Sequence, residues 1–170
     1  MNKYFVCFFT LAVALLLVEC APVLSSPATA TGYAHPEVLV DTEWVAAHLT
    51  DSQVRLLDLS SKKEVYDQGH LPGAVYVNVS ELTNPKNAPS LTPTQLETRL
   101  GQLGIRRDTT LVLYDDMQSL YAARAFWLLK QAGHERVMIL DGGGPRWVEQ
   151  KRETTKEVPK FATTAYSASP

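Results

Sequence analysis

Residues 111–140, LVLYDDMQSLYAARAFWLLKQAGHERVMIL, alternate between strand-like and helix-like patterns. The stretch opens with the apolar run 111–114 and closes with the apolar run 137–140, and each run has the length and composition of a buried β-strand. Between them, residues 119–132 have helical periodicity, and Gly133 follows as a helix stop. A strand, a helix and a second strand in this order predict two parallel strands joined by a crossover helix.

Three more β-like runs precede this unit, at residues 38–40, 54–59 and 74–79. Near-continuous apolar strands separated by helices are typical of sheets that are covered on both faces. The sequence therefore predicts an α/β fold, with a mainly parallel five-stranded sheet and helices on both faces. In the 119–132 helix the polar side chains form one narrow stripe, which consists of Tyr121, Arg124 and Gln131. We therefore expect the sheet and its neighbours to cover most of that helix.

Two further helices are predicted on the N-terminal side. Residues 42–49 place apolar side chains at helical spacing. A second helix begins after Thr92, with the Thr92 hydroxyl as N-cap, Pro93 at the first helical position and Gln95 completing a capping box. Gly104 is its expected stop, and three leucines form its buried face: Leu96, Leu100 and Leu103.

Composition limits the classes of function. The 170 residues are enough for one α/β domain with extensions and too few for two full domains. With 45% hydrophobic and 20% charged residues the chain is typical of a folded core, and a net charge of -2 gives no general reason to expect a nucleic-acid partner. Cys7 and Cys20 are the only cysteines, so the folded part has no disulfide framework, no cysteine-based zinc site and no thiol nucleophile.

The N-terminus has the pattern of an export signal. Lys3 precedes an apolar run at residues 4–18, shorter than the roughly 20 residues of a membrane-spanning helix. Leu17-Val18-Glu19-Cys20 resembles a bacterial lipoprotein signal and predicts lipidation of Cys20, although Glu19 stands where such signals carry a small residue. Cleavage after Ala28-Thr29-Ala30 and an uncleaved anchor are the alternatives. All three predict a periplasmic or membrane-anchored protein, with membrane contact only through the lipid or the leader.

The chain thus divides into four predicted segments. These are a signal at residues 1–20, a spacer at 21–35, the α/β domain at 36–150 and a tail at 151–170. The tail loses periodicity and gains Lys, Glu, Thr and Pro, which is typical of a linker or a loose C-terminus.

Two carboxylates, Asp115 and Asp116, directly follow the 111–114 run. Aspartyl-phosphate phosphatases place a nucleophilic Asp at this position, but their pattern needs another Asp two residues later, where this chain has Met117. The alternative is two loop carboxylates that cap backbone amides.

Asp141-Gly142-Gly143-Gly144 has neither the continuation of a P-loop nor the spacing of a dinucleotide fingerprint. It therefore predicts a tight turn, and no cofactor is expected.

Histidines and arginines add few candidates. His35 and His48 have no partner at metal-ligand spacing, so no metal site is expected. For His70 and His134 a structural role is predicted rather than general-base catalysis. Arg124 and Arg146 are candidates for binding a small anion if they face the same rim, and the alternative is two solvated arginines.

The segment Tyr66-Asp67-Gln68-Gly69-His70-Leu71-Pro72-Gly73-Ala74 resembles the N-terminal signature of rhodanese-like sulfurtransferases. Gly133-His134, the run 137–140, Asp141-Gly142-Gly143 and Trp147 are similar to the closing helix, strand and glycine turn of that family. The resemblance extends from about residue 35 to residue 150. It implies a rhodanese-like fold, with His70, Pro72 and Gly73 in a turn that leads into a strand.

The family transfers sulfane sulfur through a cysteine persulfide, and the resemblance implies where that cysteine would stand. In an active member it directly follows the strand matched by residues 111–114, and here that residue is Asp115, which cannot form a persulfide. Arg124 comes nine residues later, further away than in an active loop, and Ser60 stands where many active members carry arginine. The chain looks like the non-catalytic N-terminal domain of tandem thiosulfate or 3-mercaptopyruvate sulfurtransferases.

The resemblance also implies a loop that holds anions, and we expect Asp115 or Asp116 to fill it and to repel thiosulfate. The predicted function is an exported rhodanese-like module that has no sulfurtransferase activity itself and does structural or recognition work. One alternative is half of a sulfurtransferase whose cysteine comes from a second rhodanese domain or partner chain, since the tail from Val158-Pro159-Lys160-Phe161 onward resembles the linker of tandem members. The other is an Asp-based hydrolase.

Overall fold

A five-stranded parallel sheet forms the centre of the domain. The computed structural model describes residues 34–82 and 91–167. In this part of the chain the sheet has the order β1-β5-β4-β2-β3, and every pairing is parallel. The predicted α/β fold is confirmed. The strands are β1 Leu39–Val40, β2 Val54–Asp58, β3 Val75–Tyr76, β4 Thr110–Tyr114 and β5 Val137–Leu140.

Helices cover both faces of this sheet. The described residues form α1 Thr42–Ala47, α2 Lys63–Gln68, α3 Pro93–Gln102, α4 Leu120–Gln131 and α5 Gly143–Glu149, with short 3-10 turns at Pro36–Val38 and Val79–Glu81. Successive residues of β4 point to opposite faces, so Leu111 and Leu113 belong to one core cluster and Val112 and Tyr114 to the other. The first cluster includes side chains of α3 and α4, and the second includes side chains of α1 and α5.

The start and the end of α3 are as predicted. The Thr92 hydroxyl accepts a hydrogen bond from the Gln95 N–H at 3.3 Å, and the Gln95 side chain accepts one from the Thr92 N–H at 2.9 Å. Gly104 has a φ of +69°, which is favourable only for glycine and allows the chain to leave the helix. The three predicted leucines are buried: Leu96, Leu100 and Leu103.

Helix α4 is less covered than its sequence predicts. Leu120 is 60% exposed and Trp127 is 54% exposed. The helix is anchored on the sheet through a narrow strip of small and aliphatic side chains, Ala122, Ala125 and Leu129, and its outer face remains in solvent. The expectation of a largely covered helix was wrong because the outer positions carry apolar residues without being buried.

The described part of the tail after α5 is held on the domain rather than loose, and the linker alternative stays a prediction. Thr155 and His70 exchange two backbone hydrogen bonds of 2.9 Å each. Further along, the Thr164 N–H donates to the Gly101 carbonyl at 2.9 Å, and Tyr166 is only 7% exposed. The described tail therefore lies along the domain although it has neither helix nor strand, because its backbone groups find partners on the domain surface.

Several predictions concern parts of the sequence outside the described residues. These are the leader, lipidation at Cys20, the alternative cleavage site at Ala30 and most of the spacer. Within residues 34–82 and 91–167, every helix is too short or too polar to cross a membrane.

Candidate functional site

The Asp115 carboxylate lies where β4 ends and the loop to α4 begins, and the residue is only 1% exposed. Its Oδ1 accepts hydrogen bonds from the N–H groups of Met117 at 2.8 Å and Ser119 at 2.9 Å. Its Oδ2 accepts from Tyr121 and Ala122, both at 2.8 Å. We call these four N–H groups the Asp115 cradle. They include the amides at the N-terminus of α4, which is the usual binding place for an anion.

The backbone around the cradle is tightly constrained. Gln118 and Ser119 have φ values of 55° and 67°, in the left-handed region that turns N–H groups inward. On the opposite side, Gly143 passes so close that a Cβ there would lie 2.5 Å from the Asp115 carbonyl oxygen. The Gly144 N–H donates to the same oxygen at 3.0 Å. Hydrogen bonds therefore hold both the side-chain carboxylate and the backbone carbonyl of Asp115 in place.

Asp116 points to a different part of the domain. Its Oδ1 accepts from the Ser61 N–H at 2.6 Å, and its Oδ2 accepts from the Ser61 hydroxyl at 2.8 Å. Asp116 thus connects the loop after β4 to the loop after β2. The structure separates the two predicted loop carboxylates, since Asp115 binds the start of α4 and Asp116 binds Ser61.

The two candidate arginines do not form a joint anion site. The Arg146 guanidinium lies 2.5 Å from the Asp141 carboxylate and is engaged in that ion pair. Arg124 lies on the exposed outer face of α4, which packs on the other face of the sheet from α5.

The predicted turn, residues 70–73, leads into β3 and encloses His70. The His70 ring is 2% exposed and stacks on Tyr66 with 3.6 Å between ring centroids. Its Nδ1 lies 2.9 Å from the Tyr66 carbonyl oxygen and its Nε2 lies 3.1 Å from that of Glu157. Gly73 follows Pro72 with a φ of +77°, where a side chain would be strained. In this arrangement both ring nitrogens of His70 are engaged by the backbone.

A cavity of about 490 Å³ lies at the carboxyl ends of β2 and β4, between α2 and α5. We call it the Asp58 cavity. Asp58 and Tyr114 both line it, and each is 2% exposed. An Asp58 carboxylate oxygen accepts from the Ser60 N–H at 2.8 Å, and the Tyr114 hydroxyl accepts from the Leu71 N–H at 3.3 Å.

The pKa values of this buried pair are shifted in the same direction. Burial raises the pKa of Asp58, while hydrogen bonds from Ser60 and Tyr114 act against that shift. Burial and the neighbouring Asp58 charge raise the pKa of Tyr114 well above its ordinary value. The hydroxyl of Tyr114 therefore stays protonated and able to donate to Asp58.

This cavity was not predicted from the sequence. Asp58 is the last residue of β2 and lies in register with Tyr114, and ligand sites in parallel sheets lie beyond the carboxyl ends of strands. That rule, applied to β2 as well as β4, would have identified the position. Helix α5, which closes the cavity, begins at the glycines that were predicted as a turn only.

The remaining histidines have structural surroundings. His134 is fully buried, with Nδ1 at 2.9 Å from the Tyr166 hydroxyl and Nε2 at 2.9 Å from the Thr109 carbonyl oxygen, and burial lowers its pKa. His35 contacts Glu37, and His48 contacts the Trp44 carbonyl. Across the described part of the chain, no group of three or more His, Cys, Asp or Glu side chains is arranged to hold a metal ion.

Comparison with known proteins gives consistent matches. Residues 41–150 match the family model for the rhodanese-like domain. The sulfur carrier protein TtuD of Thermus thermophilus is 41% identical over 136 residues, which are 79% of this chain and 48% of that protein. The putative thiosulfate sulfurtransferase SseA of Mycobacterium tuberculosis is 35% identical over 139 residues, 81% of this chain and 47% of that protein.

A solved structure agrees with these matches. The 3-mercaptopyruvate sulfotransferase SseA of Escherichia coli is similar with a TM-score of 0.70 and 25% identity, over 78% of this chain and 55% of that one. The chain spans about half the length of the curated relatives it matches. From the matched residues, the parallel sheet and the turn before β3, the chain belongs to the rhodanese-like domain family.

Proposed function

We propose that this chain is a catalytically silent rhodanese-like module that serves as a structural or recognition domain. Sulfur transfer in the family needs a cysteine thiolate after the central strand, and we place Asp115 at that position. A carboxylate does not accept sulfane sulfur. The observation that carries the proposal is the set of four backbone hydrogen bonds accepted by Asp115.

Electrostatics supports the same conclusion. The Asp115 cradle consists of the N–H groups that would stabilise a bound anion, and a covalently attached carboxylate already satisfies them. Thiosulfate would have to displace that carboxylate and to approach a second negative charge on Asp116. Both effects disfavour binding of the sulfur donor.

Cyanolysis tests this proposal. The full chain and its Cys7→Ser/Cys20→Ser variant are incubated with thiosulfate or 3-mercaptopyruvate and cyanide, and thiocyanate is measured. An active tandem sulfurtransferase serves as the positive control, and heat-denatured protein as the blank. We expect no thiocyanate above the blank from either form, and turnover by either form would contradict the proposal.

A second candidate function is half of a sulfurtransferase whose cysteine comes from another domain or chain. Two observations favour it: the matched relatives are about twice as long, and apolar side chains are exposed on α4 and on the loop before it. Met117, Leu120 and Trp127 would contact the second rhodanese-like domain. Sequencing the gene past codon 170 tests the single-chain form of this candidate, which requires a second domain with Cys after a β-strand.

An Asp-based hydrolase has no support from the geometry. Both oxygens of Asp115 are occupied by backbone N–H groups, and Met117 stands where the second Asp of that pattern belongs. Hydrolysis of p-nitrophenyl phosphate that is abolished by Asp115→Asn would be needed to revive it.

We also propose that the module is exported and lipid-anchored through Cys20. The leader pattern with Leu17 three residues before Cys20 supports this. The intact mass of the protein extracted from its native membranes distinguishes the alternatives: a lipidated N-terminal Cys20, cleavage after Ala30, or an uncleaved leader.

A further inference from the structure

The Asp58 cavity is separate from the Asp115 cradle. Tyr114 lines the cavity, whereas Asp115, its neighbour in the chain, directs its side chain to the start of α4. The side chains of Tyr114 and Asp115 therefore point in different directions, while the next residue, Asp116, also lines the cavity.

The walls of the Asp58 cavity are mainly apolar. Val65 contributes from α2, Leu71 from the turn before β3, and Pro145 and Val148 from α5. A volume of about 490 Å³ is within the range of cavities that hold small organic molecules. The cavity is therefore suited to a ligand with an apolar body.

Acidic side chains outnumber basic ones around this cavity. Its lining includes three carboxylates, Asp58, Asp116 and Glu149, and neither lysine nor arginine is among the lining residues of the described chain. His70 also lines it, but its two ring nitrogens already contact the carbonyl oxygens of Tyr66 and Glu157. A negative, largely apolar cavity attracts cations and disfavours anions.

The three carboxylates occupy different depths. Asp58 is buried, Asp116 is partly exposed and fixed by Ser61, and Glu149 is exposed on α5 at the rim. An ammonium group would thus meet negative charge both at the mouth and inside, while Val65 and Val148 contact the remainder of the ligand. We propose that the Asp58 cavity binds an organic ammonium ion with an apolar body.

The test compares three probes of the same shape and different charge. These are 4-phenylbutylammonium, 4-phenylbutanol and 4-phenylbutanoate, titrated into the full chain by isothermal calorimetry near neutral pH. We expect the ammonium to bind at least about tenfold more tightly than the alcohol, and the carboxylate to bind more weakly than both. Equal affinity for ammonium and alcohol, or absence of ammonium binding, would overturn the proposal.

Variants locate the bound ammonium. Glu149→Gln removes a rim charge and should weaken ammonium binding about threefold or more, with little effect on the alcohol, whereas Glu43→Gln on α1 removes an exposed charge outside the cavity and should change nothing. Val148→Trp should obstruct the mouth and weaken all binding. If that variant fails to fold, ammonium-dependent shifts of the Gly69, Leu71 and Gly144 amides in the wild-type NMR spectrum serve instead. Ammonium binding that is insensitive to Glu149→Gln, or that leaves these amides unshifted, would place the ligand elsewhere and contradict the proposal.

Discussion

The Oδ2 atom of Asp115 lies 2.8 Å from the backbone N–H of Ala122, a residue inside helix α4. This contact joins the end of β4 to the first turn of α4. The link is made by a side chain rather than by a bound anion. The other three bonds of the Asp115 cradle reinforce it. The loop between β4 and α4 is thereby closed by the chain itself.

Asp115→Asn should destabilise the fold. An asparagine has one acceptor oxygen, so its NH₂ group would face two of the four N–H donors and leave them unsatisfied. At about 1–3 kcal/mol for each of these two buried donors, the free energy of unfolding should fall by roughly 2–6 kcal/mol. Urea denaturation measures this, with Asp108→Asn as an exposed control that should change stability by less than about 0.5 kcal/mol. If Asp115→Asn were as stable as Asp108→Asn, the four hydrogen bonds of the Asp115 cradle would not contribute to the free energy of unfolding.

Acid should destabilise the domain through His134. Burial lowers the pKa of this imidazole in the folded state, so the unfolded state binds more protons. The stability it contributes is complete above the ordinary pKa of about 6.5 and is lost as the pH falls below that value. Unfolding free energies at about pH 7.5 and about pH 5 should differ less in His134→Gln than in wild type. His35→Gln, which changes an exposed imidazole, should retain the wild-type difference.

Alkali should destabilise the domain through Tyr66. The Tyr66 hydroxyl donates to the Ala74 carbonyl at 2.9 Å. Burial, and to a smaller extent the negative charges of Asp58 and Asp67, raises the pKa of Tyr66 from 10.0 to about 12. Because the folded state keeps this proton more tightly, stability falls as the pH rises from about 10 to about 12, by roughly 3 kcal/mol at most. Tyr66→Phe should flatten the loss over this pH interval. If the Tyr66→Phe variant lost as much stability as wild type over this interval, the loss could not be assigned to Tyr66.

Phe161→Ala should show whether the tail contributes to stability. The Arg55 guanidinium lies over the Phe161 ring, 3.2 Å from its centroid, and the ring also packs against Gly104. Loss of this cation–π contact and of the packing should cost about 2 kcal/mol in urea denaturation. Val158→Ala, at a tail residue that is 56% exposed, is the matched control and should have little effect. Equal effects of the two variants would mean that the tail is only loosely held.

The sequence predicted the sheet because its strands are buried on both faces and therefore read as continuous apolar runs. The capping box of α3 was predictable for a similar reason, since Thr92 and Gln95 act locally. The third strand was overestimated, because only Val75–Tyr76 pairs, and Asn78 then caps a 3-10 turn over Val79–Glu81. Local apolar character did not reveal where strand pairing ends.

Tertiary contacts account for the features that the sequence did not reveal. Polar and irregular residues of the tail gave no periodicity, yet Thr155 and Tyr166 bind groups on the domain that lie far away in the chain. The loop carboxylates were identified from their position after a strand, but only the structure distinguishes Asp115, bound to backbone amides, from Asp116, bound to Ser61. The Asp58 cavity likewise depends on how α2 and α5 approach each other.

A thiosulfate titration shows whether the Asp115 carboxylate already fills the cradle. It is followed through the amide resonances of Met117, Ser119, Tyr121 and Ala122. If the Asp115 carboxylate fills the cradle, these four resonances stay unshifted at millimolar thiosulfate, at an ionic strength held constant with sodium chloride. Saturable shifts of the four amides would show that the donor anion enters, and would contradict the account of a self-filled and catalytically silent site.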